Sequence, residues 1–352
     1  MSDYSANMAL SCPVPVGVSD LIRLGHGSGG KLTAQLIETV FLPELGNEVL
    51  NQLDDAALVS AGSTRLAVTT DAYVVNPIFF PGGDIGKLAV HGTVNDLSMR
   101  GAKPLYLAAS FILEEGLRLA DLKRIVKSMR EACLESGVIL IAGDTKVVNR
   151  GAADKIFITT TGIGVVEVDP APSAVRAEVG DVVIASGDLG LHGMAIMCAR
   201  EALELDTRIE SDTASLHNLV AGLLTVGSSV HCLRDLTRGG LSSALNEIAV
   251  TSGTGIELDE SVIPIHPEVQ AACEILGLDP LYVASEGRLV AIVAPDHQGS
   301  ALEQMRSNPL GRCATVIGRV VPSHSGRVVL KSRIGGHRIL DKLSGEQLPR
   351  IC

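Results

Sequence analysis

In the first half of the chain, apolar positions fall into short runs rich in β-branched residues. TRLAVTTDAYVV (64–75), KPLYLAASFIL (103–113), GVILIAGDTKVV (137–148) and KIFITTTGIGVVEV (155–168) predict strands. Between them, GKLAVHGTVNDLSMRG (86–101) and LADLKRIVKSMREACLESG (119–137) predict helices, the second ending at a glycine suited to a left-handed cap. DPAPSAVRAEVGD (169–181) concentrates Pro and Ala and predicts a linker. Beyond it the pattern predicts a strand at 181–186, helices near 190–204, 213–230, 239–252 and 267–276, and strands at 255–259, 282–293 and 313–321. The closing stretch, with Gly335-Gly336 and a late proline, reads as an appended hairpin and a loose tail.

This is an α+β chain of two domains, since 352 residues exceed what one ordinary core covers. The expected boundaries are an N-terminal extension with a Gly-rich lid (1–42), an N-terminal domain (43–168), a C-terminal α/β domain (169–322), and a hairpin with a flexible tail ending in Cys352 (323–352). Aromatic residues are only 3% and Trp is absent, so the cores must be aliphatic.

Charge narrows the partners. With 29 basic and 40 acidic residues the formal charge is −11, which disfavours nucleic acid and anionic membrane surfaces. No apolar run is long enough to span a bilayer, and MSDYSANMAL lacks the features of a signal peptide, so a cytoplasmic location is expected. The seven cysteines are odd in number and widely spaced, which suggests neither a disulfide framework nor a zinc site.

GHGSGGKLT (25–33) satisfies Gly-x-x-x-x-Gly-Lys, but Leu32 stands where a P-loop needs a magnesium-binding hydroxyl. Two readings remain: a plain flexible turn, or backbone N–H groups and Lys31 closing over phosphates whose metal is held elsewhere. Carboxylates that could hold it are Asp54 and Asp55 in QLDDAAL, Asp71 in VTTDAYVV, Asp96 in GTVNDLSMRG, Asp144 in IAGDTK and Asp235 in LRDLTRGG, several of them at the end of an apolar strand or inside an otherwise apolar helix, Asp71 most clearly. Magnesium takes hard oxygen ligands and brings phosphates with it. Each Asp taken alone could equally cap a helix or turn.

The ordered set GSGGK, LDDAAL, TTDAYVV, FFPGGDIGKLAVHGTVNDLSMRGAKP, IAGDTKVV, SGDLGLHGMAIM, LRDLTRGGLSSALNEIA, ASEGRL and terminal LPRIC resembles the HypE family of hydrogenase expression/formation proteins. More broadly it resembles the ATP-binding superfamily of aminoimidazole ribonucleotide synthetase and selenophosphate synthetase. That resemblance implies a two-domain aminoimidazole ribonucleotide synthetase-like fold, with N-terminal domains completing a β-barrel in a homodimer and ATP at that interface. It maps phosphate and metal carboxylates onto Asp55, Asp71, Asp96 and Asp235, with Asp54 an alternative to Asp55, and nucleotide contacts onto Gly29, Gly30, Lys31, Gly143 and Thr145.

The resemblance further implies that Cys352 accepts a carbamoyl group from the carbamoyltransferase HypF. ATP-dependent dehydration would turn it into a thiocyanate, and the cyanide would pass through HypC–HypD to the iron of a nickel-iron hydrogenase. A base must remove the nitrogen protons; Glu286 in ASEGRL and His91 in AVHGTVND are the candidates. Glu286 could instead pair with Arg288, and His91 could be a core histidine. The 16 residues from Gly336 to Cys352 span at most about 50–58 Å when extended, enough to reach a distant site. A small-molecule synthetase or kinase of the superfamily and a non-enzymatic carbamoyl carrier are the rival readings.

Overall fold

The structure, a computed structural model, describes residues 21–201, 209–345 and 350–352. Two sheets organise it. The first has five strands in the order Ala57–Ala61, Thr64–Tyr73, Ile156–Val166, Ala102–Glu114, Ile139–Val148, antiparallel except for the last pair. All four long strands lie where β-branched alternation predicts them. Ile156–Val166 alternates strictly between buried positions and half-buried or exposed ones, as one covered face requires.

The cover is helix Ile85–Met99, which packs on three of those strands. Asp84 starts it by accepting hydrogen bonds from the Gly86 and Lys87 amides at 2.8 and 3.0 Å. Its faces are nearly all buried, because strands lie on one side while helix Leu119–Ser136 and parts of the second sheet lie on others. Helix Leu119–Ser136 ends at Gly137 with φ 67°, the left-handed cap its sequence predicts.

The second sheet has seven strands in the order His337–Leu340, Val328–Lys331, Gly255–Asp259, Thr315–Val321, Val182–Ala185, Leu289–Val293, Val230–Asp235. Four expectations need correction here. The region 213–230 is helix His217–Leu223 plus a tighter turn to Ser229, and strand Val230–Asp235, which was not expected, follows it. The strand expected over 282–293 begins only at Leu289, leaving Glu286 on the preceding loop. Helix Gln298–Ser307 was not expected. The hairpin is no appendage: Val328–Lys331 pairs in parallel with Gly255–Asp259, and Val328, Val329 and Leu330 are buried.

Among the described residues the first sheet is open, with Ala57–Ala61 and Ile139–Val148 at its edges, and no barrel closes. The last three residues also differ from a loose end. Ile351 is buried, forms an isolated bridge to Val75, and joins Cys352 to a core containing Tyr73, Met194 and Ala284.

Candidate active site

Asp55, Asp96 and Asp235 present carboxyl oxygens all within 4.8 Å of one another. Asp55 precedes the first strand of the five-stranded sheet, Asp96 lies on the buried helix, and Asp235 ends a strand of the seven-stranded sheet. The trio therefore joins the two halves of the fold. The Thr69 hydroxyl lies 2.8 Å from Asp96 Oδ2, and Arg234 forms an ion pair with Asp55.

Like charges this close cannot all ionise cheaply away from water. Burial raises Asp55 to about 6 despite the opposing Arg234 guanidinium. Burial, then the neighbouring carboxylates, push Asp96 and Asp235 well above the ordinary range. Asp235 Oδ2 has no hydrogen-bond partner. Three converging hard oxygen donors, one of them unsatisfied, fit a divalent cation such as magnesium, which would let all three carboxylates ionise.

Beside the trio is a cavity of about 40 Å³ lined by Asp71, Tyr73, Gly92, Asp96, Asp235, Thr237, Arg238, Glu286 and Cys352. A Cβ on Gly92 would lie 2.2 Å from the Tyr73 hydroxyl, so only glycine lets the helix approach that ring. Glu286 is buried with Oε1 unpartnered; burial first, then Asp235, Asp212 and Asp71, raise its carboxyl well above the usual range. Burial also pushes the Cys352 thiol up to about 12, with Arg238 opposing and Glu286, Asp71 and Asp235 adding to the rise. The sulfur rests as a thiol.

The space beside Cys352 is far smaller than the roughly 300–1,000 Å³ of a typical ligand site. A nucleotide does not fit there. A second cavity of about 430 Å³, lined by Val49, Leu53, Asp54, Asp55, Val68, Thr69, Thr70 and Thr161 among others, shares Asp55 with the trio.

The remaining expected site residues are placed as follows. Asp71 lines the Cys352 cavity, its Oδ2 3.3 Å from the Tyr73 hydroxyl, but stands outside the trio. Asp54 turns away to an ion pair with buried Arg100 and a 2.9 Å bond from the Ser173 hydroxyl, so it ties down the linker instead of joining the carboxylates. His91 is also directed elsewhere. Gly92 and Asp96, four residues apart, share the cavity face of the helix, whereas His91 is rotated about 100° from Gly92 and lies 3.7 Å from Glu135. Both of its ring nitrogens lack hydrogen-bond partners and it does not line the cavity. Glu286 makes no pair with Arg288, whose nearest carboxylate is Asp212 at 3.9 Å.

Gly143 and Thr145 lie on the exposed edge strand, away from the cavity in this chain. Gly29 packs against Arg238, and the Arg238 guanidinium donates to the Gly27 carbonyl at 3.2 Å, so the glycine-rich segment borders the cavity mouth. Lys31 pairs with Asp341 at 2.5 Å, and its amide bonds the Leu343 carbonyl at 2.8 Å.

Sequence reasoning missed Arg238 and Tyr73 as cavity residues and His192 and Arg200 as tail contacts. His192 Nε2 lies 2.6 Å from the Ile351 carbonyl oxygen, and Arg200 donates to the Arg350 carbonyl at 2.8 Å. For Arg238 a signal was available, since it sits three residues after Asp235 in LRDLTRGG, ahead of helix Gly240–Ser252.

Models of the AIR synthase related proteins match this chain over residues 53–166 for the N-terminal domain and 178–331 for the C-terminal domain. The chain is 54% identical over 350 residues to carbamoyl dehydratase HypE of Cupriavidus necator, covering 99% of this chain and 100% of that one. The chain belongs to the HypE family. Among solved structures, a HypE–HypF complex is matched with TM-score 0.84 and 49% identity over 88% of this chain and 99% of that chain. A hydrogenase maturation protein HypE in complex with ATP is matched with TM-score 0.79 and 49% identity over 93% and 98%. The fold is accordingly the two-domain AIR synthase-like arrangement, with mixed sheets and helices. Among the described residues no helix is long and apolar enough to cross a membrane.

Proposed function

We propose that the protein is an ATP-dependent carbamoyl dehydratase acting on the thiol of its own Cys352, as a step in supplying cyanide to the iron of nickel-iron hydrogenase. The observation that carries this reading is that Cys352 shares one small cavity with Asp96, Asp235, Arg238 and Glu286, directly beside the carboxylate trio. Kinship with a HypE that has been crystallised with HypF supports HypF as a partner, and we take it as the donor of the carbamoyl group. HypC–HypD is the proposed acceptor of the cyanide.

Converting S–C(=O)–NH₂ to S–C≡N removes one oxygen and two protons. The oxygen leaves once it carries the γ-phosphoryl group of ATP, so the products are thiocyanate, ADP and phosphate. Asp55, Asp96 and Asp235 are the residues that would hold magnesium, which would offset phosphate charge during the transfer. The 430 Å³ cavity sharing Asp55 is where we place the nucleotide. Arg238, at the mouth near Cys352, is suited to orient the carbamoyl oxygen and bear its developing charge. Glu286 in its ionised form, which Arg238 favours, is the proposed proton acceptor: burial makes that carboxylate a stronger base than a free one, and its Oε1 is not engaged elsewhere. The small volume around the sulfur admits the carbamoyl group and little water, which protects the product.

A homodimer completes the proposal. The edge strand Ile139–Val148 exposes Ile139, Leu140, Ile141 and Val147 along an open sheet edge, an arrangement that favours pairing. Pairing there would close the barrel across two copies and bring Gly143 and Thr145 to the partner's nucleotide. The acidic charge and the free thiols of the described cysteines suit a cytoplasmic protein.

Intact-mass spectrometry tests the reading. After incubation with a HypF-type carbamoyltransferase system, Cys352 should gain the mass of HNCO and then lose one water on addition of Mg-ATP. A stable adduct that Mg-ATP leaves unchanged would favour a carrier, and no adduct at all would refute the assignment.

A further inference from the structure

We propose that His192 is a positioning residue that retains the tail in the cavity by gripping the backbone carbonyl of Ile351, one residue before the reactive cysteine. This rests on the proposed dehydration at Cys352 for its functional meaning, though not for its geometry.

His192 is completely buried in the first turn of helix Leu191–Arg200, with its ring edge-on to Phe80 at 5.4 Å between centroids. Nε2 lies 2.6 Å from the Ile351 carbonyl oxygen, and Nδ1 lies 2.7 Å from the Ser211 hydroxyl. A carbonyl only accepts, so Nε2 carries the proton and Nδ1 accepts from Ser211. Ser211 Oγ in turn accepts from the Thr213 amide at 3.1 Å, which fixes the hydroxyl's direction. The chain of donors runs one way and ends on the tail. Burial lowers His192 to about 4, which supports a single neutral tautomer under ordinary conditions.

The same helix holds the preceding residue from its other end. Arg200 donates to the Arg350 carbonyl at 2.8 Å and to the Asn76 carbonyl at 2.8 Å, while the Asn76 amide donates to the Arg350 carbonyl at 3.1 Å. Two successive tail carbonyls are thus clamped by side chains at the two ends of one helix. None of these contacts involves the sulfur. The clamp therefore grips a thiol, a carbamoyl thioester or a thiocyanate equally, and it sets how long the end stays inside before presentation to another protein. Weakening it should slow the reaction inside and speed access from outside at Cys352 alone, whereas simple destabilisation would also expose the buried Cys232 and Cys273.

The test compares wild type, His192→Ala and His192→Gln in the full-length protein. Iodoacetamide labelling of each cysteine is followed by peptide mass spectrometry, and single-turnover water loss is measured on carbamoylated protein. His192→Ala should label Cys352 on the order of tenfold faster, the effect of one buried hydrogen bond, with buried Cys232 and Cys273 unchanged. Its water loss should slow. His192→Gln, which can offer an N–H to the same carbonyl, should recover most of both. Should His192→Ala fail to fold, Ser211→Ala is the substitute, with a smaller acceleration expected because the ring keeps its place and loses only its tautomer lock. Unchanged Cys352 labelling, or acceleration shared by Cys232 and Cys273, would overturn the proposal. If wild type carried out no dehydration yet labelling still responded to residue 192 alone, the clamp would stand and the functional reading would fall.

Discussion

Gly92 and Tyr73 meet so closely that a Cβ at position 92 would lie 2.2 Å from the tyrosine oxygen. The helix can pass the strand at this distance only without a side chain, and the cavity beside Cys352 forms where the two elements meet. Gly92→Ala must therefore displace the buried Tyr73 ring. We expect a loss of about 1–3 kcal/mol in urea-unfolding stability, the usual effect of an added methyl group in a packed interior. We also expect slower dehydration with carbamoyl loading nearly intact.

Asp54 and Asp235 should separate under mutation, although both are acidic residues in apolar contexts. Asp235→Asn removes a member of the trio and should weaken magnesium binding measured by calorimetry. Asp54→Ala should leave magnesium affinity near wild type but strand the buried Arg100 guanidinium, at a cost of about 3–5 kcal/mol of stability. Equal effects on metal binding would contradict the division of roles.

Much of this was visible in the residues. The strands and helices of the first half follow from β-branched runs and helical spacing, and Asp96 stands in an apolar helix that had to satisfy a carboxylate somehow. Strand Val230–Asp235 was missed because VHCLRD mixes polar and apolar positions immediately after a turn, and the period over six residues is too short to decide. His91 and Gly92 are neighbours in sequence, yet only their angular positions on a helix packed on several sides decide which one faces Cys352. The seating of the tail depends on a bridge between Val75 and Ile351, residues so distant in the chain that no local pattern reports it.

Acidity should act through the trio. Because Asp55 is raised from 3.8 to about 6, and Asp96 and Asp235 are raised further, these groups favour the folded state when protonated. Their contribution is fully present below the unfolded value and is lost as pH rises through the folded values. Without divalent cations, stability should fall as pH rises from 3.8 through about 6 and beyond on their account. Magnesium should offset that loss, so the melting-temperature gain on adding it should grow with pH. A gain independent of pH would argue against the trio as the cation site.

Glu286→Gln keeps the shape of the cavity wall and removes the proton acceptor. Single-turnover water loss should slow about a hundredfold or more, the usual range for a lost general base, with HypF-dependent loading unchanged. Wild-type rates in this variant would assign the proton transfer to another group.

The central claim is that an amide carried by Cys352 becomes a nitrile on the same sulfur. Infrared spectroscopy of protein loaded with ¹³C-carbamoyl and then given Mg-ATP observes that bond directly. The account predicts a new nitrile band that shifts with the isotope and is absent from Cys352→Ala. Persistence of the labelled amide with no nitrile band, while ATP is bound, would contradict it.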